Sequence, residues 1–274
     1  MRAGSEERQS MRPCRKKREP LRPGGDTIQE PLRAVAVETR VSDMEQARDD
    51  LEIRLRALRH DELDALYDAA AEAIAAFERM AASGRNPVTA ALDGADIVEE
   101  WSHYPEGDSR GAAGRYYYHA HPAEERGADE HGHFHIFLEP PPAEAASQPT
   151  HVVGLAMDAG GRLLRLFTTN GWVTDETWRG AEWVAERLPG FSMTSDPARP
   201  DLDQWIAAIV RLFRPQIEAL LRARDAALAV LLEQDPAALE DRSVRILSES
   251  PVDLYAQVRA VECAMDEAAR LSPA

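Results

Sequence analysis

The sequence predicts an α+β protein whose centre is an antiparallel four-stranded meander flanked by N- and C-terminal helices. Apolar residues recur at three- and four-residue spacing before residue 82 and again after residue 174. Between Arg115 and Thr169 the period changes to two, and the segments with that period follow one another through short connections. Helices, then a sheet, then helices is the order of an α+β domain.

Residues 44–82 read as helix on the stripe Leu51, Leu55, Leu58, Leu63, Leu66, Ala70, Ile74 and Phe77. The stripe slips near His60-Asp61, which predicts two helices or a kink. Gly84, with Pro87 beyond it, supplies the stop. Residues 88–114 read as loop, with one short apolar piece at Ile97–Trp101. Four strands follow: Arg115–His121, His131–Leu138, His151–Met157 and Leu163–Thr169. The last two flank Asp158-Ala159-Gly160-Gly161, a tight-turn sequence, and Pro140-Pro141-Pro142 ends the second. Thr174 or Asp175 is placed to cap a helix running to about Leu188, which Pro189-Gly190 closes. A long helical stretch, Leu202–Gln234, contains Pro215, whose missing donor and ring clash predict a kink or break. Pro251 is placed to start a last helix, Val252–Leu271.

The chain has 274 residues, 44% of them apolar and 29% charged, enough to bury a core. Its formal charge is −16, which argues against nucleic acid as a partner, because phosphate binding needs concentrated Lys and Arg. The longest apolar run, Ala226–Leu232, is far too short to span a bilayer. Two cysteines, Cys14 and Cys263, make no disulfide framework, so a cytoplasmic setting is expected. The first 25 residues carry eight basic side chains against three acidic ones, with prolines and glycines that break any helix. Residues 1–43 are therefore expected to be a disordered basic tail, with no apolar region of the kind a signal peptide needs. The body is divided into an α+β domain at 44–235 and a C-terminal helical extension at 236–274. Leucine and alanine stripes on the C-terminal helices suit core packing or self-association.

One feature rises above this frame. Seven of the eight histidines fall between His103 and His151, far more than that window's share of the chain. Alternate residues of a strand share a face. On the first predicted strand Tyr117, His119 and His121 share one face, and Tyr116, Tyr118 and Ala120 the other. On the second, His131, His133, His135 and Phe137 share one face, opposite Phe134, Ile136 and Leu138. The apolar sets suit the core, so the histidine sets line up as one imidazole surface on the opposite face.

Imidazole is the commonest side-chain metal ligand. Two histidines in H-x-H are separated by about 6.7 Å at Cα, a distance that two rings can bridge to one ion. His131 and His135 are roughly 13 Å apart along their strand, so one ion does not take all three of that strand. The expected ligands are His119 and His121 from one strand and His133 and His135 from its neighbour, with His131 a further candidate. Three histidines with an open position suit catalytic zinc, and an added carboxylate suits iron or manganese. Asp108, Glu124, Glu125, Asp129 and Glu130 lie nearby in the sequence. Trp101, His103, Tyr104 and Asp108 are placed to wall the site, supply a ligand or simply anchor their loop by aromatic packing, and Thr168, Thr169, Asn170 and Trp172 to orient a polar ligand or cap the strand.

Some of these residues resemble known motifs. His131-Gly132-His133-Phe134-His135-Ile136-Phe137 looks like the histidine-triad motif, which implies His133 as a nucleophile toward a nucleotide phosphate. His119-x-His121-x-x-x-Glu125 is similar to the first metal motif of the cupins, whose second motif is missing here. Taken together, Trp101–Pro105, Tyr116–His121, Glu130–His135 and Leu166–Thr174 resemble an uncharacterised bacterial family, a domain of unknown function, which implies no activity. The expected function is a histidine-lined site for a divalent transition metal (zinc, iron or manganese) with an unassigned small-molecule ligand; if the protein is an enzyme, the metal would polarise a substrate or activate water. The alternatives are metal-free histidine-triad-like nucleotide phosphohydrolase or transferase chemistry, and non-catalytic metal sensing or storage.

Overall fold

The computed structural model describes residues 46, 49–95, 102–111, 113–122, 125–127, 129–193 and 198–271, all within the compact unit 41–274. The expected basic tail and the apolar piece Ile97–Trp101 lie outside the described residues.

A helical segment at 49–56 is followed by a break and then by α1 (His60–Ala82), so the slip of the leucine stripe is a real interruption. A short helix α2 (Pro87–Leu92) follows, with Asn86 accepting from the Thr89 amide at its start. Both it and the next strand fall in the stretch expected to be loop. The sheet has six strands rather than four: β1 (Tyr104–Arg110), β2 (Gly114–His119), β3 (Gly132–Leu138), β4 (Thr150–Met157), β5 (Leu163–Thr169) and β6 (Ile246–Pro251). They lie in sequence order, and every pair is antiparallel. The meander is therefore correct in kind and short by one strand at each edge. Edge strands carry weaker patterns: β1 reads YPEGDSR and β6 reads ILSESP, neither with a clean apolar alternation. Residues 236–274, expected as a helical extension, supply β6 to the sheet before turning into a helix.

The helix expected from Thr174 to Leu188 is instead two short ones, α3 (Gly171–Thr174) and α4 (Ala181–Ala185). Asp175 ends α3 in a left-handed conformation, and the chain then runs past Trp178 without regular structure. Helices α5 (Pro200–Leu212) and α6 (Arg214–Gln234) are separated at Phe213, where Pro215 opens the second helix without losing a needed donor. The last helix, α7 (Leu254–Leu271), buries Val261 and Ala264 in the common core. No helix among the described residues is long and apolar enough to cross a membrane.

The helices cover one face of the sheet. Tyr116, Tyr118, Phe134, Ile136, Val153, Leu155 and Leu166 meet Trp205, Ile206, Ile209 and the alanine stripe of α1 in one apolar cluster. A single buried acid ties helix to sheet: Asp203 of α5 accepts from Tyr116 Oη at 2.8 Å and from Ser109 Oγ at 3.2 Å. The other face is buried as well. Every residue of β3 and β4 is buried, so the histidine face is not a wet surface. Small residues make room on it. Gly154 lies opposite both His135 and Phe167, and the Phe167 ring lies flat over it. A Cβ on Gly154 would sit 2.2 Å from that ring.

Gly154→Ala is expected to destabilise the protein by about 1–3 kcal/mol, because a packed ring must be displaced. In a Phe167→Leu background the same change is expected to cost less, by at least about 0.5 kcal/mol of coupling. Urea unfolding of the four proteins measures this, and strict additivity would contradict the stacking of Phe167 on Gly154.

Candidate metal centre

The register of β2 against β3 pairs His119 with His133 and Tyr117 with His135. Three imidazoles therefore converge from two neighbouring strands. Ligand nitrogens of His119, His133 and His135 lie within 4.8 Å of one another, and all three residues are buried. Their ring centroids are 4.6, 4.9 and 5.0 Å apart. The His119 and His133 Nε2 atoms are 2.8 Å apart. A tetrahedral zinc with bonds of about 2.1 Å holds two nitrogens about 3.4 Å apart, so loading needs only a small opening of this pair.

The outward nitrogens of His133 and His135 are engaged. His133 Nδ1 lies 2.9 Å from Glu130 Oε1, and the other Glu130 oxygen accepts from Arg165 at 3.0 Å. Arg165 continues to Glu249 of β6 at 2.8 Å and stands over the Phe167 ring. His135 Nδ1 lies 3.0 Å from His151 Nε2, and His151 Nδ1 lies 3.3 Å from Thr169 Oγ1. These partners hold the rings with Nε2 facing inward, which is how outer residues orient histidine ligands. Gly132 makes the β2–β3 approach possible: a Cβ there would meet the His119 carbonyl and the Tyr118 hydroxyl at 2.5 Å.

The expected ligands fare differently. His119, His133 and His135 come together. His121 lies beyond the end of β2, at the rim, with its ring 4.8 Å from that of His119. Its Nδ1 faces Arg245 at 3.4 Å and Glu125 at 3.7 Å, and it is not among the three convergent histidines. His131 is a correction. Strand β3 starts only at Gly132, so the alternation does not reach His131, and its Nδ1 turns to Tyr118 Oη at 2.6 Å, on the helix-covered side. His103 stacks on Tyr117 at 3.7 Å and reaches Asp108 at 3.5 Å, walling the site as expected. Trp101 lies outside the described residues. Asn170 caps α3 and donates to the Ala238 carbonyl, so its part is structural.

His151 and Glu176 were not singled out from the sequence. A bulge between Ile136 and Phe137 shifts the β3–β4 register and brings His151 opposite Phe137 and onto His135. Strand alternation alone does not show that shift. Glu176 follows α3 and accepts from the His151 amide at 2.6 Å, pinning the 171–177 segment to β4. Burial pushes its carboxyl up to about 7.

Burial also sets the charge state of the imidazoles. His119 is pushed down to about 2 by burial, and then by the neighbouring His133 and His121. His151 falls to about 3 through burial and the charge of Arg224, and His121 to about 4 through burial and the nearby His133. His135 is held well below its ordinary range by burial and by the surrounding histidines. For His133 burial dominates although Glu130 opposes it. For Glu130 burial alone would raise the carboxyl, but His133 and Arg165 outweigh it and keep it ionised. The cluster thus consists of neutral rings, the form that donates lone pairs.

Beside His119 the covering layer opens into a cleft of about 370 Å³, lined also by His121, Tyr117, Phe137, Trp172 and Arg245. Pro149 and the 172–175 segment form its far wall.

These shifts give a sign for acid stability. The histidine values are depressed in the folded state, so the unfolded chain binds more protons below its ordinary histidine value, near 6.5. Metal-free protein is therefore expected to lose stability as the pH falls from about 6.5 to 4, each buried histidine adding up to about 1.4 kcal/mol per pH unit. Urea midpoints at pH 7, 6 and 5 in the presence of a chelator check this. His151→Phe is expected to flatten the slope by about one proton, and a midpoint independent of pH would contradict neutral burial.

No curated protein and no solved structure matches the chain. A family profile described as "Domain of unknown function (DUF6969)" matches residues 67–252, a span that runs from within α1 to just past β6 and contains every histidine of the cluster. With more than half of its length matched, the chain belongs to this family, DUF6969, a domain of unknown function.

Proposed function

We propose that the chain binds one divalent transition metal ion, zinc foremost, through His119, His133 and His135. The observation that carries this reading is the convergence of three buried, neutral imidazoles, two of which have their outward nitrogens engaged by Glu130 and His151. A structural core has no need of such an arrangement, because burying polar rings costs desolvation that leucines in the same places avoid. An all-imidazole set favours zinc over the two-histidine-one-carboxylate pattern of iron. Glu130 is already committed to His133 and Arg165.

Three protein ligands leave a fourth position, which is the arrangement of catalytic rather than structural zinc. An ion held here would supply Lewis acidity to a small molecule or a water in the cleft beside His119. A metal-dependent enzyme is the reading this supports. A sensor or store would use the same ligands and is separated from an enzyme by the absence of turnover. The histidine-triad alternative needs the His133 Nε2 lone pair aimed at a phosphate. That atom instead faces His119 at 2.8 Å, and His133 itself is buried and does not line the cleft, which favours the metal reading.

Metal analysis by mass spectrometry after dialysis against zinc is expected to find about one equivalent in the native chain. It is expected to find none when His119, His133 and His135 are replaced together by Ala. His131→Ala is expected to keep full occupancy. Glu130→Gln and His151→Phe are expected to keep the stoichiometry and weaken affinity by about 10–100-fold, as loss of an orienting partner does. Undiminished zinc in the triple variant would overturn the site.

A further inference from the structure

We propose that the cleft beside the histidine cluster takes a small uncharged carboxamide, its carbonyl oxygen held by the Tyr117 hydroxyl and its N–H groups by the acids of the cleft wall. This rests on the metal reading above and adds the class of ligand.

Tyr117 is only 6% exposed, and it lines the cleft together with His119. Across the β2–β3 ladder it lies opposite His135. Its ring stands 5.1 Å from that of His135 and 5.5 Å from that of His119. Two of the three ligand rings are therefore its neighbours on one face of the sheet. A phenol is longer than an imidazole, so the hydroxyl reaches farther from the sheet than their nitrogens do. His103, stacked at 3.7 Å, and Phe137, at 5.5 Å, hold the ring in place. Among the described residues the hydroxyl has no hydrogen-bond partner. A hydroxyl so nearly enclosed costs free energy unless a ligand or a water answers it. Its proton calls for an acceptor, and a carbonyl oxygen supplies one.

The charges of the lining select an uncharged molecule. Both arginines of the cleft are committed: Arg115 makes two hydrogen bonds to Glu139, at 2.8 and 3.2 Å, and Arg245 meets Glu125 at 3.2 Å. Each of these pairs is neutral. Two further acids line the cleft, Asp108 and Asp175. Asp108 faces His103 at 3.5 Å and Arg115 at 3.9 Å, and Asp175 is exposed at the end of α3. Their negative charges match those of a divalent ion on neutral imidazoles, so the loaded cleft is balanced before a ligand enters. A carboxylate or phosphate would add charge, with no uncommitted cation among the described lining residues to meet it. A carboxamide adds none, and its N–H groups are donors of the kind that Asp108 and Asp175 accept. Phe137 and Trp172 add aromatic surface for an apolar body, and a cleft of about 370 Å³ is of the size that small organic ligands fill.

The test uses the full chain loaded with cobalt(II), whose visible absorption reports changes around the ion, together with calorimetry. The probes are benzamide and benzoate, which share ring and size and differ in charge and in N–H groups. Benzamide is expected to bind saturably and to change the cobalt spectrum, with benzoate at least about ten-fold weaker. Tyr117→Phe, which removes only the hydroxyl, is expected to keep the cobalt content and to weaken benzamide by about ten-fold. Asp175→Asn, a change that a left-handed backbone position tolerates, is expected to keep the cobalt content and to narrow the preference for benzamide over benzoate. Cobalt uptake with no saturable benzamide binding overturns the inference and leaves the metal reading intact. Equal benzamide affinity in Tyr117→Phe, or benzoate binding as tightly as benzamide, overturns it too. Failure to take up cobalt overturns the metal reading and this inference together.

Discussion

In the antiparallel register that sets His119 opposite His133, two imidazoles from neighbouring strands are pressed together on a covered face. Their facing Nε2 atoms, 2.8 Å apart, share one proton or one ion but cannot both be charged. The outer partners follow from this contact. Glu130 fixes the far side of His133, Arg165 holds Glu130, and Glu249 of β6 holds Arg165, so three strands and the loop before β3 are tied to one ring. On the other flank His151 and Thr169 do the same for His135. The cluster is the hub of the second face of the sheet in the way that Trp205 and the aromatic residues facing it are the hub of the first.

The two faces solve different physical problems. On the helix side, apolar area is removed from water and Asp203 accepts from the hydroxyls of Tyr116 and Ser109 that are buried with it. On the histidine side, polar rings are buried among small residues and aromatic edges, with Gly154 and Gly132 admitting close approaches. The rings stay neutral, so the face carries lone pairs without full charges, and it loses stability in acid. A bound cation would reverse that balance, because it replaces the shared proton and is favoured by the surrounding nitrogens. The cleft at His119, with Arg245 at its mouth, is where this buried chemistry meets solvent.

Much of this was legible in the residue pattern. The alternation in YYYHAH and HGHFHIFL placed His119, His133 and His135 on one face and the aromatic core on the other, and both placements hold. Pro215 marked the break between α5 and α6. The misses share a cause. His131 fell out because a strand starts one residue later than its alternation suggests, and His151 came in because a bulge displaces the β3–β4 register. Strands β1 and β6, at the edges, carry too few apolar residues to announce themselves. Glu176 and Arg245 act from segments far along the chain, where no local pattern marks a carboxylate or a guanidinium as belonging to a site.

The sequence by itself determined which residues alternate, and so the class of fold, the face that would be apolar and the face that would hold imidazole. These are properties of neighbours along the chain, which share geometry whatever the rest of the molecule does. Only the tertiary structure decided which nitrogens converge, which carboxylate orients which ring, and that the histidine face is covered rather than wet. Those depend on strand register and on contacts between residues tens of positions apart, such as Glu130 with Arg165 and His121 with Arg245. A register displaced by one residue reverses the direction of every side chain, and a bulge supplies that displacement without leaving a mark in the residue pattern.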